Sequence, residues 1–291
     1  MDLMVLAAQQ WVNATYAGRA GYVSCRETGS TGWGVMFSLT RALQIELGVT
    51  PPSDSFGPAT TTALDTHGPI TASTASVNLR KIVQASLYCK GYPGGGIDGI
   101  WGSSTASGIQ GMKSDMGLGP GDASINTKVM KSLLTMDAYT VLWDGNQMVR
   151  AAQQWLNATF VSRRDFSILP CDGIFSRNVQ RGIVYALQYS LGMTDGTANG
   201  VFGPATRSAL NQRASLKVGT ADSGPAHFVR IFKVDFEVPT LPGELPDIAH
   251  PRVEVFAPQH DPAQRSTRTE TATRLDSVVN AAMAREAGLL N

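Results

Sequence analysis

The chain repeats itself, and no other feature of its sequence narrows the choice of fold as much. Ala7–Tyr16 reads AAQQWVNATY and Ala151–Phe160 reads AAQQWLNATF, an offset of 144 residues. The offset holds at Leu43-Gln44 against Leu187-Gln188. It becomes 146 at Phe56–Thr60 (FGPAT) against Phe202–Thr206 (FGPAT), and Cys25 and Cys171 share that spacing. Insertions of a couple of residues fall in loops, where they cost little. Two copies of one module of about 65 residues follow from this pattern. A third, more diverged copy lies between them. It runs from Leu79–Leu87 through Gly91-Tyr92 to Ile97-Asp98-Gly99-Ile100-Trp101-Gly102, Ser104-Thr105 and a second helical stretch.

Val35, Leu39, Leu43 and Leu47 recur at every fourth position, as do Val179, Ile183, Leu187 and Leu191. That spacing predicts a buried helix stripe in each copy. Gly48 and Gly192 follow as helix stops. Pro58 and Pro204 open short helices, because proline at the first turn lacks only an N–H that would have no partner there. Short helices joined by structured loops result, with boundaries at residues 1–66, 67–140 and 141–216.

From about residue 217 the character changes. Lys217–Ala226 reads as a linker, and Phe232–Val238 alternates apolar and charged residues as a strand does. Prolines 239, 242, 246, 251, 258 and 262 hold the next stretch extended. Leu275, Val278, Val279, Ala282 and Met283 then form an apolar helical stripe that needs another surface. Residues 217–291 therefore read as a linker, a strand, a Pro-rich anchor and a C-terminal helix.

Composition removes several function classes. Charged residues are 16% of the 291, with 24 Lys+Arg against 23 Asp+Glu. A net charge of +1 offers no electrostatic case for nucleic acid or anionic lipid. No run of roughly 18 apolar residues offers a membrane span. The start, MDLMVLAAQQW, lacks the basic and apolar regions of a secretory signal, so no export address is expected. Cys25, Cys89 and Cys171 fit no zinc spacing and read as free thiols, with one disulfide plus one free thiol as the alternative.

The string Ala42-Leu43-Gln44, Leu47-Gly48, Asp54-Ser55-Phe56-Gly57-Pro58-Ala59-Thr60 and Ala63-Leu64 resembles the peptidoglycan-binding domain of bacterial and phage cell-wall proteins. So does Ala186-Leu187-Gln188, Leu191-Gly192, Gly200–Thr206 and Ala209-Leu210. Asp98–Thr105 keeps the core of the pattern, and Cys171-Asp172-Gly173-Ile174-Phe175 matches half of it. The resemblance implies a mainly α fold of tandem small three-helix peptidoglycan-binding-like modules, followed by an extended tail with a strand and a C-terminal helix. Asp54-Ser55 and Asn199-Gly200 stand where the family has Asp-Gly.

The same resemblance implies a ligand groove between the loops and the second helix of each module. Its candidate residues are Asp54, Asp98, Gly99, Thr105, Asp172, Gly173, Asn199 and Gly200. Trp33, Tyr92 and Trp143, on glycine-rich loops, are the candidates for sugar stacking. Phe56, Trp101 and Phe202 are expected to plug the core, as are Trp11 and Trp155.

Machinery for wall lysis is missing from the sequence pattern. Glu27 and Glu46 are the only glutamates before Glu237, and Glu46 reads as a solvated charge on a helix face. His67, His227, His250 and His260 are scattered, with no zinc-binding spacing. Asn13-Ala14-Thr15 and Asn157-Ala158-Thr159 match a glycosylation acceptor but read as helix ends. A non-catalytic protein with no metal and no cofactor follows, whose partner is peptidoglycan or a related wall polymer. Residues 217–291 would anchor it to a virion or another assembly and leave the repeats outward at the bacterial wall. A scaffold without wall binding, or the targeting part of a lytic enzyme, are the alternatives.

Overall fold

Asp2 accepts the N–H groups of Met4 and Val5 at 2.8 and 3.1 Å and so starts the first helix, α1 (Leu3–Tyr16). Such a cap satisfies donors that the helix itself leaves unpaired. The computed structural model describes residues 1–217. Within them follow α2 (Trp33–Glu46), α3 (Pro58–His67), α4 (Val77–Cys89), α5 (Ser103–Asp115), α6 (Thr127–Leu133), α7 (Gln147–Phe160), α8 (Arg177–Ser190) and α9 (Pro204–Lys217). Ser76, Asn126 and Asn146 cap α4, α6 and α7 in the same manner as Asp2. Pro58 and Pro204 open α3 and α9 as expected. The described residues are thus mainly helical, and the tail expected over 217–291 lies beyond them except for Lys217.

Four helices end alike. Gly48, Gly91, Gly117 and Gly192 have φ of 72°, 80°, 83° and 84°. In each case the next N–H reaches back five residues, as from Val49 to the Gln44 carbonyl (2.8 Å) and from Met193 to Gln188 (2.9 Å). Only glycine takes that left-handed turn without strain, and the bonds satisfy carbonyls at the helix end.

The chain divides into two compact units, residues 1–139 and a second beginning at Thr140. In the first, α4 packs against α1, α2, α5 and α6, so the first and middle copies share one core. α1, α2 and α4 pack on one another, and Val5, Ala8 and Val12 of α1, Val35, Leu39 and Leu43 of α2 and Leu79, Ile82 and Val83 of α4 are all buried. Ile70 and Ile125, both buried, exchange two 2.9 Å backbone bonds and tie the loop after α3 to the start of α6. In the second unit α7 packs on α8 around Trp155, Leu156, Phe160, Phe166, Leu169, Tyr185 and Ala186. The predicted stripes are present: Val35, Leu39, Leu43, Val179 and Leu187 are buried, while Leu47 and Leu191 at the stripe ends, and Ile183 within its stripe, are half-buried.

Candidate functional site

The turns at residues 53–55, 98–100, 172–174 and 199–201, which hold most of the candidate residues, are each locked from beneath by a buried glutamine. Gln9, Gln44, Gln84, Gln153 and Gln188 are at most 2% exposed. A glutamine amide offers one acceptor and a two-donor NH2, which suits a tight turn presenting an N–H and a carbonyl. Gln84 accepts the Gly99 N–H (2.8 Å) and donates to Asp98 Oδ1 (3.0 Å) and the Ile100 carbonyl (2.9 Å). Gln153 treats Gly173, Asp172 and Ile174 alike, at 2.9, 2.8 and 3.1 Å. Gln188 does the same with Gly200, Asn199 and Val201, at 2.9, 3.1 and 3.0 Å. Gln9 holds Thr28, Gly29 and Ser30 in a turn that no motif had marked.

Gly99, Gly173 and Gly200 sit at φ of 78°, 76° and 70° against other chain atoms, so no other residue fits there without strain. Asp98 Oδ1 also accepts the Ile100 N–H (2.8 Å), and these bonds, with that of Gln84, draw its carboxyl below the usual range. Thr105, fully buried, donates to the Gly94 carbonyl (2.6 Å). Thr60 and Thr206 each receive a 2.8 Å bond from their glutamine. The candidates Asp98, Gly99, Thr105, Asp172, Gly173, Asn199 and Gly200 therefore shape turns through bonds inside the protein. Because α2 both follows the turn held by Gln9 and carries Gln44, successive helix–turn–helix units share a helix. The same holds for α8, between Gln153 and Gln188.

The first copy shifts this pattern by one residue. Ser53, rather than Asp54, takes the Asp position. Its N–H donates to Gln44 Oε1 (2.6 Å), and its hydroxyl accepts the Ser55 N–H at 3.4 Å. Asp54 is thereby released outward and pairs with Arg41 (Nε to Oδ1 2.8 Å). Arg41 also donates to the Gly21 and Pro52 carbonyls.

Arg41 continues a row along α2. Trp33 is the first residue of that helix, not part of a loop, and it stays 53% exposed. Its ring stacks on Phe37, four residues on, with centroids 5.3 Å apart and planes 25° from parallel. Trp33, Phe37 and Arg41 lie one turn apart on one helix face, with Asp54 bound to the last of them. Two sequence candidates, Trp33 and Asp54, are thus joined by two residues the sequence reading missed. Neither Phe37 nor Arg41 belongs to the resemblance motif, and only the i, i+4, i+8 spacing from Trp33 marks them.

The model of the FadG/YbfG, PGDB-like domain matches residues 3–85 and 142–236. The chain belongs to that family. Its domain has a peptidoglycan-binding-like fold, and the chain carries it twice. Two relatives come from Bacillus subtilis (strain 168). The uncharacterized protein FadG is 47% identical over 234 residues, covering 80% of this chain and 40% of the relative. The uncharacterized protein YbfG is 38% identical over 209 residues, covering 72% and 28%. The chain therefore spans less than half the length of either relative. No solved structure matches it. Each matched PGDB-like copy contains two glutamine-locked turns. The second match runs past α9 to residue 236, across the boundary expected at residue 216.

The remaining candidates stand on separate elements. Tyr92 is half-buried beside Gly111, and its hydroxyl donates to Asp115 at 2.9 Å. Trp143, on the turn before α7, is 97% exposed. Among the ring positions, Phe202 and Trp155 are core, as expected. Phe56 and Trp101 are only half-buried, and so is Trp11, which lies beneath the Lys81 ammonium of α4 (6.0 Å).

Glu46 is not a solvated charge. It is half-buried and accepts Tyr16 Oη (2.9 Å) from α1 and Asn78 Nδ2 (2.8 Å) from α4. Burial and this carboxylate raise the Tyr16 phenol above its usual range. Asn13 and Asn157 close their motifs inward. Asn157 is fully buried, donating to the Leu169 carbonyl (2.9 Å) and accepting its N–H (2.7 Å). The three cysteines are free thiols, with Cys89 and Cys171 buried and Cys25 half-buried. Among the described residues no three His, Cys, Asp or Glu side chains converge on a metal position. No helix there is long and apolar enough to cross a membrane.

Proposed function

We propose that the chain is a non-catalytic cell-wall binding protein whose first PGDB-like copy stacks a peptidoglycan sugar on Trp33. The observation that carries this reading is the half-exposed Trp33 ring, backed by Phe37 and followed along α2 by the Arg41–Asp54 pair. An aromatic face takes the C–H side of a pyranose ring, while a neighbouring carboxylate and guanidinium bond its hydroxyl or acetamido groups. Because the glutamine-locked turns are braced internally, the platform is already ordered before binding, which limits the entropy lost on association. The family's peptidoglycan-binding-like fold supports the ligand class. Co-sedimentation with purified peptidoglycan, freed of protein and of covalently attached polymer, tests it. The chain should pellet with the wall, and Trp33→Ala/Phe37→Ala should remain in the supernatant while keeping its helical circular dichroism.

A second reading, a scaffold that uses the fold without wall binding, draws on the internal use of Asp98, Asp172 and Asn199. Under it, the double variant and the parent would pellet equally poorly. Anchoring of residues 217–291 to a larger assembly, such as a virion, belongs to the first reading and concerns residues outside the described ones. Its test is whether a chain ending at residue 216 still reaches the wall but no longer enters particles.

A further inference from the structure

The two PGDB-like copies present different chemistry at the same place. Trp33, Phe37 and Arg41 of α2 correspond, 144 residues on, to Arg177, Arg181 and Tyr185 of α8. Asp54, which neutralises Arg41, corresponds at the 146 offset to Gly200. The first face is therefore aromatic with its one cation paired. The second carries two arginines one turn apart and has lost the carboxylate. Both arginines are exposed, and neither has a carboxylate within ion-pair distance among the described residues. Arg181 is held in place, with its guanidinium 5.7 Å from the Tyr185 ring centroid and Nη2 donating to the Asn199 carbonyl (3.4 Å).

The difference extends to whole segments. Residues 1–139 contain nine Lys+Arg and nine Asp+Glu, whereas residues 140–216 contain seven arginines, no lysine and four aspartates. The excess positive charge of the repeats thus lies wholly in the second segment, and all of it is guanidinium. Arginine presents a planar fork of donors that matches the oxygens of a phosphate, and its hydration is weaker than that of an ammonium.

We infer that the α8 face of the second copy, Arg177 and Arg181 over Tyr185, binds the phosphodiester groups of an anionic polyol-phosphate polymer of the cell wall. This rests on the wall-binding reading and assigns the second copy a ligand distinct from the sugar of the first. One chain then grips two wall components, and linked sites raise overall avidity.

The test uses the full chain on two preparations: intact walls carrying covalently attached polyol phosphate, and the same walls stripped of it by acid. The parent should bind intact walls roughly tenfold more tightly than stripped ones, with the advantage shrinking as salt screens it. Arg177→Gln/Arg181→Gln should bind both preparations alike, at the parent's affinity for stripped walls, and Arg177→Lys/Arg181→Lys should recover part of the preference. Equal binding of the parent to both preparations overturns this inference and leaves sugar binding standing. So does a glutamine variant that keeps the preference, or duplex DNA that competes as well as soluble polyol phosphate. Binding to neither preparation removes the wall reading itself. Binding to intact walls alone supports the phosphate site and overturns the sugar site.

Discussion

Gln84 Oε1 and the Gly99 N–H are joined at 2.8 Å, and the same bond recurs between Gln153 and Gly173 and between Gln188 and Gly200 at 2.9 Å. A helix thus reaches across 12 to 20 residues of chain to fix the turn that starts the next helix.

Replacing Gln84 or Gln188 by leucine leaves the buried N–H of Gly99 or Gly200 without its acceptor and removes one of the donors to the Ile100 or Val201 carbonyl, which keeps the N–H of Gly102 or Gly203. Each substitution should lower stability by about 2–4 kcal/mol in urea titrations. Gln10→Ala, on the exposed side of α1, should change stability by less than about 0.5 kcal/mol. A small effect at Gln84 would show that the turn does not depend on the amide.

The glycines of these turns separate from those elsewhere. A Cβ on Gly200 would lie 2.5 Å from Arg181 Cγ and 2.7 Å from the Tyr185 ring, at a φ of 70°. Gly200→Ala should therefore lose at least about 1–2 kcal/mol. Gly34, within α2, has φ outside the left-handed region and only Cys25 Cβ at 3.8 Å. Gly34→Ala should gain about 0.5–1 kcal/mol. Thermal melts of the two variants should shift in opposite directions.

These contrasts mark what the sequence could convey. The helix stripe of Val35, Leu39 and Leu43, the stops at Gly48 and Gly192 and the proline starts are local patterns, read from spacing alone. The role of the glutamines was hidden because their partners are mostly backbone atoms, at separations of 12, 15 and 20 residues. Trp33 looked like a loop residue because Gly32 and Gly34 flank it, yet Gly32 is the helix cap. Glu46 was misread because its partners, Tyr16 and Asn78, come from two other helices. The place of Ser53 was legible in the 146 offset of the FGPAT strings, which sets it against Asn199, but the family pattern drew Asp54 into the Asp position instead.

Stability should also respond to pH through Lys90. Burial pushes its ammonium down to about 8 from an ordinary 10.5, although it donates to the Asp137 carbonyl (2.6 Å) and faces the Tyr139 ring (5.3 Å). Between those values the unfolded chain still holds a proton that the folded chain has released, so this group makes stability rise with pH. Cys89, pushed up to about 12 by burial, acts in the opposite sense above its ordinary 9.0. The stability of the parent minus that of Lys90→Met should therefore increase from pH 8 to pH 10.5. A flat difference would mean that Lys90 titrates normally.

Thiol reactivity should rank by burial. Cys25 is half-buried, whereas Cys89 and Cys171 are closed to solvent, and burial raises the thiols of both Cys25 and Cys89. A neutral thiol is a poor nucleophile. A disulfide reagent at neutral pH should modify Cys25 slowly and first in the native protein, and all three together once it is unfolded. Rapid native reaction at Cys171 would contradict the packing around it.

The wall-binding account is tested most directly by calorimetric titration of the parent and of Trp33→Ala with soluble glycan fragments of peptidoglycan. The account predicts saturable binding by the parent and a loss of about tenfold or more in the variant, with both proteins equally folded. No heat of binding in the parent, or the same affinity in both, would contradict it.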